Sequence, residues 1–141
     1  MQMAEKIIRK DAPDKVTGQA KYALDYLTQD TVFACAALSD TAYGSLRLVD
    51  TQAARRSEGV LTVLTGGEGM PRTGVLLQDR PILASGTVRY AGEPIALVVA
   101  QTPEQARRAA ALVRWDISPM RPVMDVSEAL ATDAPLSLIH I

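Results

Sequence analysis

The chain has 141 residues, 48% hydrophobic and 22% charged, which fits one soluble globular domain and excludes a disordered tail. Fifteen basic side chains against sixteen acidic ones leave a net charge of −1, so no long-range field steers it onto nucleic acid or an anionic membrane. Four Tyr, one Trp and one Phe, none interleaved with a basic run, exclude a base-stacking platform.

In chain order, Ile7–Tyr22 is polar and turn-rich, with Asp11-Ala12-Pro13-Asp14 and Thr17-Gly18 as breakers. It reads as an extended surface segment over residues 1–20, leading into a short strand at Lys21–Ala23. The continuous apolar run Val32–Leu38 (VFACAAL) has strand length and implies a strand covered on both faces. Ser39–Gly44 is a loop, and Leu46–Val49 alternates, placing Leu46 and Leu48 on one face and Arg47 on the other. Asp50 or Thr51 caps a short helix at Gln52–Ser57, with Gly59 as its left-handed stop, and Val60–Leu64 follows as a strand.

Gly66–Gly74 is a flexible stretch, and Leu76, Leu77, Ile82 and Leu83 form an irregular extended edge marked by Pro81. Thr87–Tyr90 and Ile95–Ala100 are strands joined through Ala91-Gly92-Glu93-Pro94, where Gly92 allows a positive φ. Ile95–Ala100 carries no polar residue and is expected at the centre of a sheet. Thr102-Pro103-Glu104-Gln105 is a capping box with proline at the first helical position. Ala106, Ala109, Ala110 and Val113 form the buried stripe of that helix, and Arg107, Arg108 and Arg114 face water. Val113–Ile117 returns as a strand, Ser118–Pro122 breaks it, and Ser127–Leu130 is a capped helical turn. Two similar helix–strand units, Gln52-Ala-Ala-Arg-Arg before Gly59–Val63 and Gln105-Ala-Arg-Arg-Ala before Leu112–Trp115, give a mixed α/β chain with a mixed sheet.

Groups able to do chemistry are sparse. Cys35 lies inside an apolar run, with no cation or helix start to activate it, and reads as a buried thiol. A single cysteine, with neither a signal-peptide core nor a run of about 20 apolar residues, points to a reducing, cytoplasmic setting. Gly66-Gly67-Glu68-Gly69 follows a strand as a phosphate cradle would, yet it lacks the Lys-Ser/Thr pair and is followed by Met70-Pro71. His140 is the only histidine, which rules out a triad or a histidine-based metal site. The carboxylates Asp25, Asp30, Asp40, Asp50, Glu58, Glu68, Asp79, Asp116, Asp125, Glu128 and Asp133 show no ligand spacing. Glu93 stands apart because the turn around it is so tightly specified, and a turn or interface role is favoured over catalysis. The expected catalytic, cofactor-binding and metal sites are therefore none.

Three segments, in this order and spacing, resemble the molybdopterin-binding large subunit of the molybdenum hydroxylases: xanthine dehydrogenase, aldehyde oxidase and carbon monoxide dehydrogenase. They are Arg9-Lys10-Asp11…Lys15-Val16-Thr17-Gly18-Gln19-Ala20-Lys21-Tyr22…Asp25, Val49-Asp50-Thr51…Glu58-Gly59-Val60-Leu61-Thr62-Val63-Leu64-Thr65, and Val88-Arg89-Tyr90-Ala91-Gly92-Glu93-Pro94-Ile95-Ala96 with the helix after it. The resemblance covers Arg9 to Leu136 and implies an α/β hammerhead domain at residues 21–130, with a tail at 131–141. It further implies a parent oxidoreductase with a molybdenum–molybdopterin cofactor, other large-subunit domains, and partner subunits or domains carrying iron–sulfur clusters and FAD. The fragment alone is expected to be inactive, because the family's cofactor and catalytic segments match no position here. Two departures stand out. Ser39–Leu46 lacks the histidine-containing loop of many members, and Ser137–Ile141 reads as a truncation scar or read-through. The alternative reading is a free-standing, non-catalytic binding or assembly module with the same fold.

Overall fold

A computed structural model describes residues 9–75 and 77–135 of the chain. The expectations for Leu76, His140 and the 137–141 tail lie outside the described residues. The chain divides into two units, Met1–Thr31 and Val32–Ile141.

The first unit holds helix α1 (Ala12–Val16) and a single 3-10 turn at Ala23–Tyr26. The Asp-Ala-Pro-Asp stretch expected to be irregular thus starts a helix. Pro13 sits in its first turn, Lys15 pairs with Asp11 one turn back at 2.7 Å, and Gly18 with φ +73° ends it. The strand expected at Lys21–Ala23 does not form. The Tyr22 N–H donates to the Asp25 carboxylate at 2.7 Å, which caps the 3-10 turn and takes that donor out of any ladder.

The second unit runs β1 (Phe33–Leu38), β2 (Gly44–Asp50), α2 (Gln52–Arg55), β3 (Val60–Thr65), β4 (Arg72–Thr73), β5 (Arg80–Pro81), β6 (Thr87–Val88), β7 (Pro94–Ala100), α3 (Pro103–Ala110), β8 (Arg114–Pro119) and α4 (Val126–Ala129). One sheet has the order β1-β7-β3, a second β6-β2-β8, and β4-β5 form a small hairpin. Every pairing is antiparallel, where a mixed sheet was expected. The helix–strand units explain this. α2 carries the chain from β2 in the second sheet to β3 in the first, and α3 carries it from β7 in the first to β8 in the second. Neither helix is a same-sheet crossover, which would demand a parallel pair.

β7 is central, as its composition requires, with Val98 and Ala100 fully buried. α3 is built as its sequence directs. The Gln105 N–H donates to the Thr102 hydroxyl at 3.2 Å, and the Thr102 N–H donates to Gln105 Oε1 at 3.1 Å. Its buried stripe of Ala106, Ala109 and Ala110 meets Ala37, Val63, Ala96 and Val98 of the first sheet, with Ala54 of α2 and Val113 beside them. Small side chains let the helix axis approach the strands closely, so the core closes without large residues. A second cluster, Ala84, Val88 and Ile95, is packed by Leu46 and Ile117. Val49 and Trp115 touch both clusters and join the two sheets into one core.

Three expectations for this unit are corrected. β1 is an edge strand and is not covered on both faces: Ala37 is buried, whereas Val32, Ala34 and Leu38 are exposed. In β2 the register shifts between Leu46 and Leu48, so a bulge at Arg47 separates the two leucines; Leu46 packs on the core and Leu48 is exposed. The Thr87–Tyr90 strand is shortened to Thr87–Val88 because the Arg89 N–H donates to the Glu93 carboxylate and not to a neighbouring strand.

Candidate functional site

The Gly92-Glu93-Pro94 corner is the most tightly specified polar feature of the fold. Gly92 adopts φ +89°, a left-handed conformation that L side chains rarely take. This turn carries Glu93 inward until the residue is only 4% exposed. One carboxylate oxygen accepts the Arg89 N–H at 2.5 Å, and the other faces the Arg89 guanidinium at 3.5 Å. Arg89 in turn donates to the Thr87 carbonyl at 3.2 Å.

The backbone around the corner is bonded in four directions. The Gly92 N–H donates to the Ser39 carbonyl at 2.7 Å, and the Ser39 N–H donates to the Glu93 carbonyl at 2.9 Å. The Glu93 N–H donates to the Tyr90 carbonyl at 3.1 Å, and the Ala84 N–H donates to the Pro94 carbonyl at 2.7 Å. The buried Ser39 hydroxyl is itself engaged, accepting from the Thr41 N–H at 3.0 Å. The corner thus fastens the end of β1, the loop before β6, the end of β6 and the start of β7 to one another. Among the described residues no buried side-chain polar atom lacks a partner. These two contacts, on a residue only 4% exposed, tie the carboxylate to its own turn and to the Arg89 side chain. Glu93 was legible as special in the sequence. Its partner Arg89 was not singled out there, and the only signal for it is the four-residue spacing across the turn.

Two concavities adjoin the corner. A groove of about 630 Å3 is lined by Tyr43, Thr87, Arg89, Tyr90, Val123 and Met124 among others. A smaller hollow of about 240 Å3 lies among Gly67, Glu68, Gly69, Arg72, Ser85 and Arg89. The glycine loop therefore does border a cavity, but the two-residue strand β4 follows it where a phosphate cradle needs a helix N-terminus, and Glu68 contributes negative charge.

Two other acids cap short helices. Asp50 accepts the Gln52 N–H at 2.9 Å at the start of α2, and Asp125 accepts the Ser127 N–H at 2.7 Å at the start of α4. The Ser127 bonds hold the Asp125 carboxyl below its ordinary value. Glu128 is likewise lowered by the Arg121 guanidinium 2.6 Å away, and Asp11 by Lys15 and then Arg9. No group of three or more His, Cys, Asp or Glu among the described residues is placed to hold a metal ion. Cys35 is half-buried and packs against the alanine-rich core. No helix among the described residues is long and apolar enough to cross a membrane.

Residues 17–120 match the family described as "Aldehyde oxidase and xanthine dehydrogenase, a/b hammerhead domain". The nicotinate dehydrogenase large molybdopterin subunit of Eubacterium barkeri is 31% identical over 130 residues, covering 91% of this chain and 31% of that protein. The aldehyde oxidoreductase molybdenum-binding subunit PaoC of Escherichia coli strain K12 is 38% identical over 114 residues, covering 75% of this chain and 15% of that protein. The structure of reconstituted CO dehydrogenase from Oligotropha carboxidovorans superposes with a TM-score of 0.84 at 27% identity, over 95% of this chain and 17% of that one. The chain spans less than a third of the length of these relatives.

Proposed function

This chain belongs to the aldehyde oxidase and xanthine dehydrogenase a/b hammerhead family, and from that premise we infer that it serves as a structural and interface domain of a molybdenum hydroxylase large subunit. The observation that carries this reading is the Glu93–Arg89 corner, whose polar groups are spent on joining strands. In this reading the parent protein is an oxidoreductase. It holds a molybdenum–molybdopterin cofactor outside these residues and passes electrons to iron–sulfur and flavin partners.

The residues present do not fit a molybdenum–pterin group. Among the described residues, the charged side chain lining the larger groove, Arg89, is already paired with Glu93, and no cluster of ligand side chains faces either concavity. No reaction step is accordingly assigned to any residue of this chain. What the domain contributes is a fixed frame: sheets joined through Val49 and Trp115, with the corner locking β1 to β7.

The test is direct. The purified 141-residue chain is expected to retain no molybdenum by elemental analysis and to oxidise neither aldehydes nor purines in a dye-reduction assay. Stoichiometric metal, or turnover above the buffer rate, overturns the reading. The second reading, a free-standing assembly module, is favoured instead if this chain cannot replace the matching segment of the Escherichia coli K12 molybdenum-binding subunit.

A further inference from the structure

The first sheet has two unlike faces. Toward α3 and α2 it presents Ala37, Val63, Ala96 and Val98, all buried. The register puts the alternate residues on the opposite face in two rows, Ala36–Leu97–Leu64 and Ala34–Val99–Thr62. Ala34, Thr62 and Leu64 are exposed, and Ala36, Leu97 and Val99 are only half-buried. Five of the six are apolar and none is charged. The helices that pack on these strands, α3 and α2, contribute their buried alanines to the other face.

A one-sided antiparallel sheet ordinarily alternates apolar with polar residues, because its outer face meets water. β1 and β7 do not alternate: FACAAL and PIALVVA carry no polar side chain beyond a half-buried thiol. Their sequence is that of strands buried on both sides; among the described residues α3 and α2 cover one face, and the other is covered only at its Ile95 end, which is buried in the second cluster with Ala84 and Val88. Leu38 at 50% exposed and Val32 at 52% extend the same uncovered strand.

Resting on the large-subunit reading, we propose that this open β1-β7-β3 face docks an apolar segment of the remaining polypeptide of that same subunit. Area selects the occupant. Six positions, at a strand spacing near 4.8 Å and about 6.8 Å between same-face residues, amount to roughly 200 Å2. A stable complex of separate proteins needs about 800 Å2 per partner, so a second copy held by this face alone falls short. A covalently continuous segment carries no such requirement, because its local concentration is set by the chain. The matched relatives have that polypeptide: this chain covers 17% of the carbon monoxide dehydrogenase chain and 15% of the Escherichia coli subunit. The occupant has no charge to satisfy on this face, so it presents aliphatic or small side chains of its own.

The experiment compares thiol alkylation at Ala34→Cys and Thr62→Cys, each read by peptide mass, in the 141-residue chain and in a chimera. The chimera carries the chain in place of the matching segment of the Escherichia coli K12 molybdenum-binding subunit. Both positions are expected to react about tenfold or more slowly in the chimera. Equal rates in a chimera that holds molybdenum overturn the docking proposal and leave the large-subunit reading standing. A chimera that holds no molybdenum overturns that reading, and the docking proposal with it. Protection that appears in the 141-residue chain alone, and rises with its concentration, assigns the face to self-association and overturns the proposal as well.

Discussion

Glu93 brings a carboxylate to a position only 4% exposed, where one oxygen accepts the Arg89 N–H and the other faces the Arg89 guanidinium, which also donates to the Thr87 carbonyl. Glu93→Ala leaves the Arg89 N–H and much of its charge unpartnered, and is expected to cost about 2–3 kcal/mol in urea unfolding. Glu93→Gln keeps an oxygen for the N–H and loses the charge, so its cost should be less than half of that. A Gln variant as unstable as the Ala variant would show that the ion pair, not the N–H acceptor, holds the corner. The importance of the turn was legible from Gly92 and Pro94, whose backbone demands are local. The identity of the basic partner was not, because pairing across a turn depends on the direction in which a folded corner aims its side chains.

Elements with a local cause were the ones the sequence described best. α3 is the clearest case: cap, first-turn proline and alanine stripe all act within eight residues, and the helix runs Pro103–Ala110 as those signals direct. Thr102→Ala removes the acceptor for the Gln105 N–H and is expected to cost about 1 kcal/mol, whereas Thr102→Ser should be near neutral. Thermal unfolding followed by circular dichroism checks both; an alanine variant as stable as the parent would show the box to be inert. Elements whose form depends on distant partners were misread. The Arg47 bulge arises from the register with β8, and the shortened β6 from the reach of Glu93. The failed strand at Lys21–Ala23 has a different origin: Asp25 offered its neighbour a nearer bond than any sheet did.

Across the molecule, the two faces of the first sheet give a test in adjacent residues. Val98 is fully buried between β1, β3 and α3, while its neighbour Val99 points to the open face. Val98→Ala should destabilise the 141-residue chain by about 1.5–3 kcal/mol, from lost burial and the cavity left behind, and Val99→Ala by less than about 1 kcal/mol. Chemical unfolding midpoints measure the difference, and equal losses would contradict a sheet covered on one side. The composition of β1 pointed to two covered faces; the structure covers one. An apolar composition records which environments a strand's faces tolerate, and β1 tolerates cover that its own neighbours do not give to Ala34 and Leu38.

The hand-over of the chain between sheets also bears on how the protein is made. Strands of the two main sheets strictly alternate along the chain, and the central strand of the first sheet, β7, is the second-last strand to be synthesised. Until Ala100 has left the ribosome, β1 and β3 have no partner to pair with, so their apolar edges wait exposed. The second sheet then waits a little longer, for β8. A chain that interleaves its sheets this way gains no folded first half during translation. Its assembly is a single late event, and a product stopped short of β7 would hold neither main sheet complete.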